Sequence, residues 1–71
     1  MKITYDPETD TLSIQLKEVH ICESDELQDG IIADLDANGN IIGLEILDAS
    51  KRVTEPQNIL FKTLGHKLSS R

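Results

Sequence analysis

Apolar and polar residues alternate along most of the first forty-seven positions. Ile3 and Tyr5 alternate with Lys2, Thr4 and Asp6; Leu12, Ile14 and Leu16 alternate with Thr11, Ser13, Gln15 and Lys17. A period of two marks a strand with one buried face. Between the two runs lies Asp6-Pro7-Glu8-Thr9-Asp10. Proline presets φ for a turn, and aspartate accepts hydrogen bonds from nearby backbone N–H groups. The pattern predicts a hairpin of Met1–Asp6 and Thr11–Lys17. Val19 and Ile21 alternate with His20 and Cys22, so Glu18–Glu26 either prolongs the second strand or leaves it; Glu23-Ser24-Asp25-Glu26 reads as a polar break. Asp29-Gly30 suggests a tight turn or a bulge.

Ile31, Ala33 and Leu35 alternate with Ile32, Asp34 and Asp36, and Asn38-Gly39 follows. Asn-Gly is the strongest short hairpin signal, because a type I′ turn needs positive φ at both central residues. The return strand is Asn40–Leu47, with Ile42, Leu44 and Ile46 on one face and Ile41, Gly43, Glu45 and Leu47 on the other. Asp48 and the four residues after it suggest a short turn capped by Asp48. Thr54-Glu55-Pro56-Gln57 then resembles a capping box. Leu60, Phe61, Leu64 and Leu68 fall at helical spacing, which predicts a helix near 56–64 weakened by Gly65. The expected fold is α+β: an antiparallel sheet of about four strands from two hairpins, with a C-terminal helix packed on one face. Residues 1–53 form its β-rich part and 54–71 a helical extension of the same domain.

With 71 residues the chain is near the lower limit for a self-sufficient core. Small domains of this kind commonly gain stability by association, and a homodimer is the first expectation, by edge pairing or by burial of Ile41 and Leu47. No apolar run is long enough for a transmembrane helix, the first residues lack an apolar signal core, and Cys22 is the single cysteine. A reducing, cytoplasmic setting is expected. The net charge of −6 is unevenly placed: residues 1–50 hold two basic and twelve acidic side chains, residues 51–71 five basic and one acidic. The acidic body disfavours nucleic acid; the basic tail suits an anion, an acidic surface or the chain's own body.

Candidate chemistry is sparse. Asp34, Asp36, Asn38, Gly39 and Glu45 fit the calcium-loop pattern D-x-[DN]-x-[DN]-G-x5-E. That loop needs flanking helices, whereas the surroundings read as strands, and on a hairpin Glu45 stands about 20 Å from the tip. A plain hairpin is therefore expected, with calcium at Asp34, Asp36, Asn38 and Glu45 as the minor alternative. His20 and Cys22 share a strand face but lack enough companions for a metal site. Asp6 and Asp10 read as turn caps. Ser13, Ser24 and Ser50 have no adjacent base, the glycines form no phosphate loop, and Glu45 is expected to face solvent or pair with Lys2 or Lys17. No catalytic residue and no cofactor are expected.

The segments Tyr5–Ile14, Gly30–Asp36 and Gly39–Ser50, with their Tyr-Asp opening and their Gly-Leu-Glu-Ile-Leu-Asp-Ala-Ser close, carry a resemblance. Over roughly residues 2–53 the chain resembles a small prokaryotic family catalogued as domain of unknown function 2283. The resemblance implies a short β-rich domain and brings no catalytic residues. It also implies an antitoxin or partner role for some members, which are often encoded beside small toxin-like proteins. The functional expectation is thus a protein–protein interaction module, antitoxin-like, with a basic protein as partner. The alternative is a small-ligand or metal-binding domain.

Overall fold

The computed structural model describes residues 1–65. It is α+β, with a five-stranded antiparallel sheet followed by one short helix packed against it. The strands are β1 (Lys2–Asp6), β2 (Thr11–Gln15), β3 (Glu23–Gln28), β4 (Ile31–Leu35) and β5 (Ile41–Ile46), and the helix is α1 (Ala49–Arg52). The spatial order is β1-β2-β5-β4-β3. The hairpin β1–β2 and the meander β3–β4–β5 are joined where β2 pairs β5, with Leu12 opposite Ile46 and Ile14 opposite Leu44. Residues 16–22 cross from β2 to the far edge. They leave the ladder where Leu16 and Lys17 both donate to the Ile42 carbonyl, and rejoin it where Cys22 donates to Leu35.

The first hairpin forms as expected. Asp6 Oδ1 accepts from the Glu8 amide at 2.9 Å, and Asp10 ends the loop in the left-handed region at φ 55°. The second forms with a different tip. Gly39 has φ 83° while Asn38 stays at negative φ, so the turn is not type I′. Asp36 and Asn40 close a three-residue loop, in which Asp36 Oδ1 accepts from the amides of both Asn38 and Asn40 at 2.9 Å. That side chain does what a second positive-φ residue would otherwise have to do. The loop's extra residue is offset by an extra residue on β5, Ile42, so Asp34 again faces Gly43 and Ile32 faces Glu45. A two-residue turn would have given the same register farther down.

Three expectations are corrected. The polar stretch Glu23–Glu26 is no break but opens β3, which pairs with β4 and is exposed along its whole length. Its order comes from backbone ladder bonds at a sheet edge, which a hydrophobic pattern cannot register. The second strand ends at Gln15, and Glu18–Cys22 does not extend it. The segment 56–64 is not helical, and Leu60, Phe61 and Leu64 stand 85%, 78% and 80% exposed instead of joining the core. Glu55 at φ 50° turns the chain, with Asn58 donating to the Glu55 carbonyl. Leu68 and His66 lie outside the described residues.

The helix is instead the short turn after β5. Asp48 precedes it at φ 53° without a side-chain cap bond. The helix is tied at one end of the sheet, between two turns: Ala49 and Ser50 bond to Asp10, and Arg52 Nη2 donates to the Asp29 carbonyl. Strand alternation places Ile3, Tyr5, Leu12, Ile14, Ile31, Ala33, Leu44 and Ile46 on one face of the sheet. Among the described residues only Leu12, Ala33, Ile42 and Ala49 are buried apolar residues, and no large side chain is fully enclosed. A radius of gyration of 14.1 Å, against about 11 Å for a compact chain of this length, reflects the same openness.

Candidate functional site

The two faces of the sheet differ in chemistry. On the polar face, Lys2, Thr4, Ser13, Gln15, Asp34, Gly43 and Glu45 line an open groove of about 270 Å³, bordered by Lys17, Val19 and Ile21 of the crossover. Asp34 is the one buried charged residue among those described, at 7% exposure. Its Oδ1 accepts from Ser24 Oγ at 2.8 Å. Residue 43 is glycine for a reason of space: a Cβ there would lie 3.2 Å from Asp34 Oδ2 and 3.2 Å from the Ile14 carbonyl oxygen.

Glu45 is the diagonal neighbour of Asp34 on this face. Its carboxyl is held above the usual carboxylate range, first by the hydrogen bond its protonated form makes with Asp34, then by burial, then by the Asp34 charge. Two carboxyls side by side favour holding one proton between them. Glu45 therefore has an acid beside it, where solvent or a pairing with Lys2 or Lys17 was expected. Such a pair of carboxyls can hold a proton or meet a donor. The Ser24 hydroxyl is committed as a donor to Asp34, and Ser13 lines the groove beside the pair.

The sign of the linkage follows. Glu45 binds its proton more tightly in the folded chain than in the unfolded one, so folding loses stability as pH rises from the ordinary glutamate value through the raised one. Replacing Glu45 with glutamine keeps a donor toward Asp34 and removes that loss. Glu45→Gln is expected to be more stable than the parent at neutral pH, by less than about 1 kcal/mol because the group is largely solvated. It is also expected to flatten the stability profile above pH ~4.3. Urea titrations at several pH values check both; a parent that gains stability from pH 5 to 7 through this residue contradicts the pairing.

The residues of the calcium pattern are spread along the β4–β5 hairpin. Asp34 lies beneath the groove, Asp36 closes its own turn, Asn38 sits at the tip and Glu45 stands back beside Asp34. Among the described residues no three His, Cys, Asp or Glu side chains are grouped to hold a metal ion. Asp6 caps its turn through the Glu8 amide, whereas the Asp10 side chain does not cap that turn. Asp10 instead accepts from Tyr5 OH at 2.7 Å, from the Ser50 amide at 3.0 Å and from Ser50 Oγ at 2.6 Å. The Tyr-Asp opening and the Asp-Ala-Ser close thus meet in one clasp, which sequence spacing alone did not join.

The apolar face is the other candidate. Ile14, Ile31, Leu44 and Ile46 remain half-buried on it, and Ile3 is 40% exposed at its β1 rim. Glu23 and Asp25, opposite Leu35 and Ala33, form an acidic rim along β3. Ile41 is 48% exposed, and Leu47 is half-buried. Among the described residues no helix is long and apolar enough to cross a membrane.

Comparison with known proteins adds relationship without activity. A family model described as a protein of unknown function (DUF2283) matches residues 2–50. An uncharacterized protein of Methanocaldococcus jannaschii is 38% identical over 64 residues, which is 90% of this chain and 54% of that protein. The chain therefore spans about half the length of the curated relative it matches. No solved structure matches the chain.

Proposed function

The chain belongs to that family of unknown function, DUF2283, and from this footing we propose that it is a protein–protein interaction module. It self-associates as a homodimer through the apolar sheet face and attracts a basic protein to its acidic body, in the manner of an antitoxin.

One observation carries this reading: a single sheet layer leaves its apolar face half-open. The chain exposes 5935 Å², where a compact monomer of its 7.9 kDa exposes about 4,400 Å². The difference is shared between that face and the extended, exposed segment after Val53. The twelve acidic residues of positions 1–50 add long-range attraction for a cationic protein, which speeds encounter and weakens with salt.

Sedimentation equilibrium at micromolar concentration is expected to find a dimer; a monomer at every concentration removes the self-association. For the partner, the protein is to be purified from its native host alongside the charge-reversed Glu23→Lys/Asp25→Lys variant. A stoichiometric companion that is lost at high salt, and absent from the variant, is expected. Equal recovery with both proteins counts against an acidic docking surface.

A further inference from the structure

We infer that the occupant of the apolar sheet face is the segment Ile59–Leu64 of a second copy of this chain, so that the dimer is built by exchange of tails. The inference rests on the self-association proposed above and names what covers the face.

Three observations converge. First, the chain holds two unburied apolar surfaces that fit one another. The half-open sheet face is one; the run Ile59-Leu60-Phe61-Lys62-Thr63-Leu64, with Leu60, Phe61 and Leu64 at least 78% exposed, is the other. Second, the lengths agree. Six extended residues reach about 20 Å, and five strands at ~4.8 Å spacing are about 19 Å across. The tail leaves near Tyr5, at the β1 rim, where Glu55, Pro56, Gln57 and Asn58 border a shallow hollow with Tyr5 and Ser50. Third, the charges agree. The face ends at the acidic β3 rim of Glu23 and Asp25, and the tail beyond Glu55 carries only basic charges, Lys62, Lys67 and Arg71.

A second copy, and not the same chain, supplies the tail. Within one chain the Glu55–Asn58 turn is closed by the Asn58 amide on the Glu55 carbonyl at 2.9 Å. With that turn in place, Leu60, Phe61 and Leu64 lie in solvent. The closed turn thus presents the segment outward, where a neighbouring copy can take it up.

The test uses the full chain and its Leu60→Asp/Phe61→Asp variant. Sedimentation is expected to give a dimer for the parent and dimerisation weaker by about 100-fold or more for the variant, with the strand signature in circular dichroism retained. Phe61 is the single phenylalanine, so its ring resonances are unambiguous. In a dimer mixed from isotope-labelled and unlabelled parent chains, filtered nuclear Overhauser spectra are expected to show contacts from the Phe61 ring to Ile14 and Leu44 methyls between chains. A parent dimer that the variant matches in strength, or whose Phe61 contacts lie within one chain or are missing, overturns the tail exchange and leaves self-association standing. A monomeric parent overturns both.

Discussion

Ile42→Ala is expected to lower stability by about 3 kcal/mol, near the middle of the range for emptying a buried isoleucine site. Ile42 is 2% exposed in the central strand β5 and is, among the described residues, the large aliphatic side chain most completely removed from solvent. A domain of 71 residues has about 4–11 kcal/mol in total, so the loss takes about a quarter or more of it. At 4–8 °C per kcal/mol for a domain this small, the thermal midpoint falls by at least about 12 °C. The position is doubly sensitive. Ile42 is the extra residue that restores the β4–β5 register, and its carbonyl receives both amides that start the crossover to β3. Ile41→Ala is the control: at 48% exposure it is expected to cost less than half as much. Both variants are to be melted at one protein concentration, because association makes the midpoint concentration-dependent. Equal losses for the two would mean that Ile42 is no core residue.

Asp10→Ala is expected to lower the thermal midpoint by several degrees and to loosen α1 from the sheet. The substitution removes an acceptor shared by Tyr5 and Ser50. It also leaves a residue with no compensating side-chain bond at φ 55°, a conformation that alanine tolerates poorly. Asp10→Asn keeps one acceptor and suits the left-handed region, and so is expected to fall between parent and alanine variant. The pH dependence has a definite sign. The Asp10 carboxyl lies below the usual carboxylate range, chiefly through the Ser50 hydroxyl and then through Tyr5. The folded chain therefore binds this proton less tightly than the unfolded chain. The stabilisation is fully present above the ordinary aspartate value and is lost as pH falls through the lowered one. The gap in midpoint between parent and Asp10→Ala is expected to narrow in strongly acidic buffer. A gap that widens there would assign the effect to something other than the ionised clasp. Amide exchange at Ser50 reports the second consequence, the loosening of the helix.

The Asp34–Glu45 pair shows how close sequence reading came to the polar groove. Both residues belonged to the calcium pattern, and the hairpin that argued against that pattern also fixes their proximity. Carried four residues from the tip, the register places Asp34 opposite Gly43 and leaves Glu45 on the diagonal, within reach of a long side chain. The signal was present. Lys2, Lys17 and Asp34 all lie within strand-crossing reach of Glu45, and only the β4–β5 register sets the acid on its diagonal.

Alternation by itself determined four of the five strands, their antiparallel pairing into hairpins and the apolar set Leu12, Ile14, Ala33, Leu44 and Ile46, while Ile42 is the added residue that interrupts it. These are local properties: the side-chain period of a strand is two, and the residues at the tips restrict φ. Tertiary structure decided the rest. It made Glu23–Gln28 a strand, because a neighbouring edge offered backbone partners to a segment whose one apolar residue, Leu27, stays 58% exposed. It set β5 between β2 and β4, since pairing partners distant in the chain leave no trace in periodicity. It left Leu60, Phe61 and Leu64 without the helix their spacing suggests, because a helical stripe is stabilised only where a surface receives it. And it brought Tyr5, Asp10 and Ser50 together across 45 positions, a contact created by closing the sheet's end and by nothing in the chain's local chemistry.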